Sequence, residues 1–327
     1  MLNGEMPMAP RARHTPALSG KRRPTATVPA WLKIKFGRLG ETWSLAGSTV
    51  GGNDQGRNRP LPAPFLGPMS QAYDASAFEP PPDAEAFYAE SLRLLTESGI
   101  PFLLSGTYAV CAYTGIVRPT KDLDVFCKAG DFPKILAYFQ ARGYRTEVED
   151  ERWIAKVFQG ERFFDVIFAM SNGAAPVNDG WFEDNDTIEV YGVEAKITSP
   201  TELVVSKFFI QDRYRYDGAD VAHVFYKQAD RIDWKRLLGY MEPHWEVLLI
   251  HLLNFRFVYP TERDRIPAWV MTELTDRLSA QITLPPARVK VCRGRMFSPR
   301  DYLIDITEWG FADVVGKGLE ERHDPIS

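Results

Sequence analysis

At 327 residues the chain is long enough for two domains, or for one domain with long appendages. Hydrophobic residues make up 45% and charged residues 25%, ordinary globular proportions, and no run approaches the apolar length of a membrane span, which excludes a membrane partner. The three cysteines, Cys111, Cys127 and Cys292, show no CxxC spacing; they point to reduced thiols in a cytoplasmic protein and exclude a disulfide framework or a zinc site.

The charge is unevenly divided. Residues 1–68 hold 10 Lys and Arg against 3 Asp and Glu, a net +7, and the remainder of the chain carries −11. The same 68 residues contain 9 of the 24 prolines and 9 of the 24 glycines. Their apolar content is too low to offset the entropy of ordering. Residues 1–80 are therefore expected to form a basic Pro/Gly-rich segment without regular structure, whether a flexible tail or an over-extended gene start. One patch inside it, "WLKIKFG" at 31–37, alternates like a short strand. No continuous apolar stretch follows the basic residues, so a secretory signal is not expected.

Regular patterning begins near residue 82. "DAEAFYAESLRLLTESG" has Phe87, Leu92, Leu94 and Leu95 at helical spacing and closes on Gly99. "IPFLLSG" reads as a short strand, "TYAVCAYTG" as a small-residue helix ending at Gly115, and "KDLDVFCK" as the next strand. "FPKILAYFQARG" follows as a helix, "WIAKVFQ" and "RFFDVIFAM" as strands turning at Gly160, and "VEAKIT" as a further strand. Beyond Ser199 helices fit 200–212, 217–228, 233–241, 244–258 and 264–281. The order predicts an α+β fold: a small mixed sheet with helices over 81–199, then a mainly helical region over 200–327. The stripe Trp245, Leu248, Leu249, Leu252 and Phe255 is expected to be core, and His244 and His251, seven apart, are core or surface residues and not ligands.

Chemistry enters with "PTKDLDVFCK". In a strand, Asp122 and Asp124 point to one face, close enough to repel. Metal binding, a solvated strand end and a surface hairpin all fit that pair. In "ERFFDVIF" the alternation puts Asp165 on the face of Phe163 and Ile167, where a lone carboxylate is costly unless paired or metal-bound. A salt bridge to Arg118 or Lys121 would serve as well for Asp165 alone. Taken together, three carboxylates favour metal, because they can hold two Mg²⁺ ions roughly 3.5–4 Å apart. Oxygen donors without His or Cys favour Mg²⁺ over zinc. Upstream, "LLSGT" turns a strand into a helix on Ser105 and Gly106, small residues that would let a phosphate reach backbone N–H groups at a helix N-terminus.

The stretch "LLSGTYAVCAYTGIVRPTKDLDVF" resembles the signature of the DNA polymerase β-like nucleotidyltransferase superfamily: a Gly-Gly or Gly-Ser turn, a helix, then a strand bearing Asp-hydrophobic-Asp. Its "R-x-T-K-D-x-D" form is similar to small bacterial nucleotidyltransferases, including AbiEii-like toxins, minimal nucleotidyltransferases and aminoglycoside nucleotidyltransferases. "SPTELVVSKFFIQDRYRYDGADVAHVF" resembles the helical segment that follows the core in such proteins, so the resemblance spans about residues 85 to 230.

It implies that Asp122, Asp124 and Asp165 are catalytic and bind metal, with Asp165 helping to deprotonate an acceptor hydroxyl. Ser105, Gly106, Arg118, Thr120, Lys121 and Lys207 would bind the nucleotide, Lys207 at the triphosphate; snorkelling to solvent is the plain alternative for Lys207. Asp217 and Asp220, at a helix start, are secondary candidates. Two departures stand out: Ser105 replaces the usual first glycine, and fifteen residues separate Gly106 from Asp122.

The implied activity is transfer of a nucleoside monophosphate from an NTP to an acceptor hydroxyl with release of pyrophosphate, with Mg²⁺ as cofactor, two ions expected. The acceptor could be a small molecule, a protein or tRNA. The alternative is a non-catalytic nucleotide- or partner-binding protein on the same fold, such as a toxin–antitoxin component. The −11 beyond residue 68 speaks against a long nucleic-acid footprint, although Arg288, Lys290, Arg293 and Arg295 could form a local patch. Asp301 and Asp305 are expected on a solvated helix face.

Overall fold

A computed structural model describes residues 32–35 and 82–315, apart from 119, 121 and 171. The strand expected at 31–37 is β1 (Leu32–Lys35), and the rest of the expected unstructured segment lies outside the described residues. Helix α1 (Pro82–Glu97) is followed by β2 (Leu103–Leu104), α2 (Gly106–Thr114), β3 (Asp124–Phe126) and α3 (Phe132–Gln140). Four strands come next among the described residues: β4 (Arg145–Asp150), β5 (Ile154–Gln159), β6 (Arg162–Ile167) and β7 (Thr187–Val190). Then β8 (Val193–Lys196) leads into α4 (Pro200–Lys207), α5 (Gly218–Gln228), α6 (Trp234–Tyr240), α7 (Trp245–Val258) and α8 (Ala268–Ile282). The described chain closes with β9 (Val291–Cys292), α9 (Leu303–Thr307) and β10 (Ala312–Asp313). Among the described residues no helix is long and apolar enough to cross a membrane.

The main sheet has five strands in the order β2-β3-β6-β5-β4. It is mixed, because β3 and β6 run parallel while the other neighbours are antiparallel. The parallel pair is joined through α3, β4 and β5, so the sheet's centre is built from strands distant in sequence. Val125, Val166, Phe164, Ala155 and Val157 are fully buried there. A smaller sheet, β1-β7-β8, adjoins it through a parallel bridge between Leu104 and Ile197. The α+β reading therefore holds.

Helical patterning was legible where the apolar stripe is wide. Leu248, Leu249, Leu252 and Phe255 of α7 are buried, as are Leu203, Val204 and Phe208 at α4. Two helix bounds differ from expectation. The helix expected over 200–212 stops at Lys207, because Asp212 accepts hydrogen bonds from the backbone N–H of Tyr214 (2.7 Å) and Arg215 (2.6 Å) and folds the chain into a turn. The helix expected from 264 begins at Ala268, since Pro267 keeps the residue before it out of helical backbone. Strands β4 and β7 were not foreseen. Strand β4 is an edge strand, "RTEVED", mostly exposed and without an apolar alternation to reveal it.

Strand β1 pairs with the outer edge of β7, in register Leu32 with Val190 through Lys35 with Thr187. A chain beginning at Met69 loses this strand and leaves the five-stranded sheet intact. It is expected to unfold in one cooperative transition, with a slightly lower midpoint than the full chain; a non-cooperative thermal melt followed by circular dichroism would refute this.

Candidate active site

The register of the parallel pair places Asp124 of β3 directly beside Asp165 of β6. Asp122 stands just ahead of β3, in a bend closed by Thr120, whose hydroxyl donates to the Asp122 carbonyl (2.9 Å) and carboxylate (3.2 Å). One carboxylate oxygen from each of the three aspartates lies within 4.8 Å of the other two. Asp122 and Asp124 are half-buried and Asp165 is buried.

Such crowding has an electrostatic cost. Burial, then the charges of Asp122 and Asp165, push the Asp124 carboxyl up to about 7, against the opposing pull of Lys207 and Arg215. Burial also pushes Asp165 up to about 6; Lys156 opposes that rise and Asp122 adds to it. Asp165 Oδ1 is buried and makes no hydrogen bond, with Lys156 Nζ 3.5 Å away. Lys156 itself, on β5 opposite Asp165, sits nearer to Glu149 at 2.9 Å. A buried, unsatisfied carboxylate oxygen beside two further carboxylates is a donor set that a hard divalent cation fits.

Gly106, the first residue of α2, has φ +58°. A Cβ there would lie 1.8 Å from Asp124 Oδ2, so the helix can start against that carboxylate only because the residue is glycine. Ser105 anchors the same turn: its N–H donates to the Asp124 carbonyl (3.0 Å), and its buried hydroxyl pairs with Thr198 (2.9 Å). The Ser105 side chain is thus engaged in the core. In Gly106→Ala the left-handed backbone costs roughly 1–2 kcal/mol and the added methyl displaces Asp124. The variant is expected to fold but to lose most of any Mg²⁺-induced rise in melting temperature, and a wild-type Mg²⁺ response would count against this geometry.

A second cluster gathers the remaining candidates. Lys207 does not snorkel: its buried ammonium lies 2.8 Å from carboxylate oxygens of both Asp217 and Asp220. Arg118 grips Asp220 with both terminal nitrogens, one at 2.6 Å. Arg215, which the sequence reading passed over, donates from Nε and Nη2 to Asp217, each at 3.2 Å. Burial alone would raise Asp217, but Lys207 and Arg215 outweigh it and hold its carboxyl below the usual carboxylate range. Lys121 lies outside the described residues.

Elsewhere, Arg295 is buried and paired with Asp313, which removes it from the surface patch expected around residues 288–295. Asp301 accepts the Arg213 N–H at 3.0 Å. His251 is buried, with Nε2 2.8 Å from the Phe208 carbonyl. All three cysteines are free and buried.

No protein-family model matches the chain and no curated protein matches it. Among solved structures it is similar to a lincomycin-bound lincosamide antibiotic adenylyltransferase, at 18% identity and a TM-score of 0.29, over 43% of this chain and 94% of that one. It is similar also to the antibiotic-resistance factor ANT(2'')-Ia, at 15% identity and a TM-score of 0.33, over 54% of this chain and 94% of that one. A third is an antigenic nucleotidyltransferase-like protein from Paracoccidioides brasiliensis, at 14% identity and a TM-score of 0.32, over 56% of this chain and 91% of that one. At such identities and TM-scores these likenesses carry no argument, and any activity must stand on the site's own residues.

Proposed function

We propose that the protein is a metal-dependent nucleotidyltransferase that moves a nucleoside monophosphate from an NTP to an acceptor hydroxyl, releasing pyrophosphate. The observation that carries this reading is the convergence of Asp122, Asp124 and Asp165 on one space, beside a helix start that only glycine permits. A structural ion-pair network would supply each carboxylate with a cation; Lys156 stands 3.5 Å from Asp165 Oδ1, which makes no hydrogen bond, and among the described residues no ion pair reaches Asp122 or Asp124.

Asp122, Asp124 and Asp165 would hold Mg²⁺, which when bound supplies Lewis-acid neutralisation of charge on the reacting phosphate. The chain's own residues do the rest. The Gly106 turn admits a phosphate close to the backbone at the start of α2. Asp165 would also help to take the proton of the acceptor hydroxyl. Ser105 and Thr120 hold the segment that bears Asp122 and Asp124 through backbone and side-chain hydrogen bonds. The Arg118–Asp220–Lys207–Asp217 cluster ties α4 and α5 to the segment before β3.

The test is incubation of the full chain with each α-labelled NTP, Mg²⁺ and a cell extract, followed by identification of the labelled product. Label transfer by wild type and its loss in Asp124→Asn is the expected result. No transfer with any NTP, together with nucleotide binding that survives in Asp124→Asn, would favour a non-catalytic binding protein on this fold.

A further inference from the structure

We infer that Arg215 is the side chain that meets the nucleotide's phosphate groups, and that the loop between α4 and α5 is built to present it; this rests on the nucleotidyltransferase reading above. Lys207, the cation the sequence put forward for that role, is engaged twice over by carboxylates and its side chain is only 5% exposed. Arg118 is held in a two-pronged pair with Asp220. Arg215 is the member of the cluster left accessible, with 65% of its side chain exposed and longer contacts, 3.2 Å, to Asp217. Three cations face two carboxylates in this cluster, so one positive charge is left over. The Arg215 guanidinium is the most exposed of the three cations.

The position is apt as well as the charge. Arg215 bonds Asp217, Lys207 joins Asp217 to Asp220, and Arg118, four residues ahead of Asp122, holds Asp220, so the cluster is tied to the segment that leads into the aspartate site. A polyphosphate held at that site would approach an arginine whose planar fork matches phosphate oxygens in pairs.

The loop is held in advance of any ligand. Asp212 Oδ1 accepts from the N–H of Tyr214 and Arg215, and the Asp212 N–H donates to the Arg215 carbonyl at 2.8 Å. Gln211 and Tyr216 form an antiparallel bridge across the loop. The Tyr216 ring lies where a Cβ on Gly218 would stand 2.1 Å away, so a side chain there would have to displace that ring. Asp301, from the C-terminal segment, accepts the N–H of Arg213 and pins the loop from outside. These bonds lower the ordering cost of presenting the guanidinium.

The experiment titrates the full chain, in Mg²⁺, with non-hydrolysable analogues of the four NTPs and with the corresponding NMPs. Arg215→Met is expected to weaken the preferred NTP analogue by roughly 10- to 100-fold, the range of a charge-assisted hydrogen bond. NMP affinity, the Mg²⁺-induced rise in melting temperature and the ligand-free melting temperature should change little, and Arg215→Lys should recover part of the loss. If Arg215→Met binds the analogue as wild type does, the inference fails while the nucleotidyltransferase reading survives. If Arg215→Met lowers the ligand-free melting temperature and weakens every ligand alike, Arg215 is a structural member of the cluster and the inference also fails. If wild type binds no analogue, the reading and the inference fall together.

Discussion

Lys207→Met should lower stability by about 3 kcal/mol, the lower end for breaking a buried ion pair. The ammonium lies between Asp217 and Asp220, at 2.8 Å from each, and all three side chains are nearly excluded from water. Methionine keeps the volume but removes the charge, leaving two buried carboxylates with fewer partners. Arg118 still pairs with Asp220 and Arg215 with Asp217, which is why the lower end of the range applies. At roughly 2–4 °C per kcal/mol for a domain of this size, the melting midpoint should fall by about 10 °C without any ligand present. The sequence-based expectation, in which Lys207 contacts the triphosphate, requires instead that the ligand-free protein melt as wild type does. Calorimetry of the metal-free, nucleotide-free protein separates the two.

How far the sequence foretold this site depends on what each residue's neighbours are. The aspartate triad was legible from close spacing and from Asp165's place on an apolar stretch where a charge needs a reason, although the strand expected through Asp122 begins only at Asp124 and Asp122 reaches the site from the bend ahead of it. That β3 and β6 would be adjacent was not legible from periodicity, since three elements separate them in sequence. The Ser-Gly turn was legible as a turn, but its division of labour was not. That Ser105 pairs with Thr198, 93 residues on, is a matter of tertiary packing.

The pairing within the cation cluster was not legible for the same reason. A lysine on an apolar helix face looks alike in sequence whether it reaches water or two buried carboxylates. Lys156 carried a usable signal: like Asp165, it interrupts an apolar strand, and the argument applied to one would have flagged the other. Arg215 carried none, because its place depends on the Asp212 turn that ends α4 early.

Asp124→Asn is expected to make the metal-free protein more stable at pH 8 and to abolish its response to Mg²⁺. In the folded protein Asp124 is raised to about 7 and Asp165 to about 6, burial being the foremost cause in each. In the unfolded chain both lie near ordinary aspartate values. A carboxyl with a raised folded value binds more protons folded than unfolded between about pH 4 and 7, so stability falls as pH rises through that window and levels off above it. For wild type without metal the fall should be on the order of 2–3 kcal/mol, after discounting for the partial exposure of Asp124. Asparagine in its place removes one titration and relieves Asp122 and Asp165 of a neighbouring charge, so the variant's profile should be flatter and should lie above wild type at pH 8. Mg²⁺ requires the ionised carboxylates, so its binding releases protons and strengthens with pH through 6–7. The Mg²⁺-induced rise in melting temperature should accordingly be large at pH 8, small at pH 5, and absent in the variant at both. Thermal melts across pH 5–8 with and without Mg²⁺ test every part of this. Should wild type ignore Mg²⁺ at pH 8 while Asp124→Asn loses stability there, the three aspartates would be structural ion-pair partners, and the enzyme reading would yield to a binding role on the same fold.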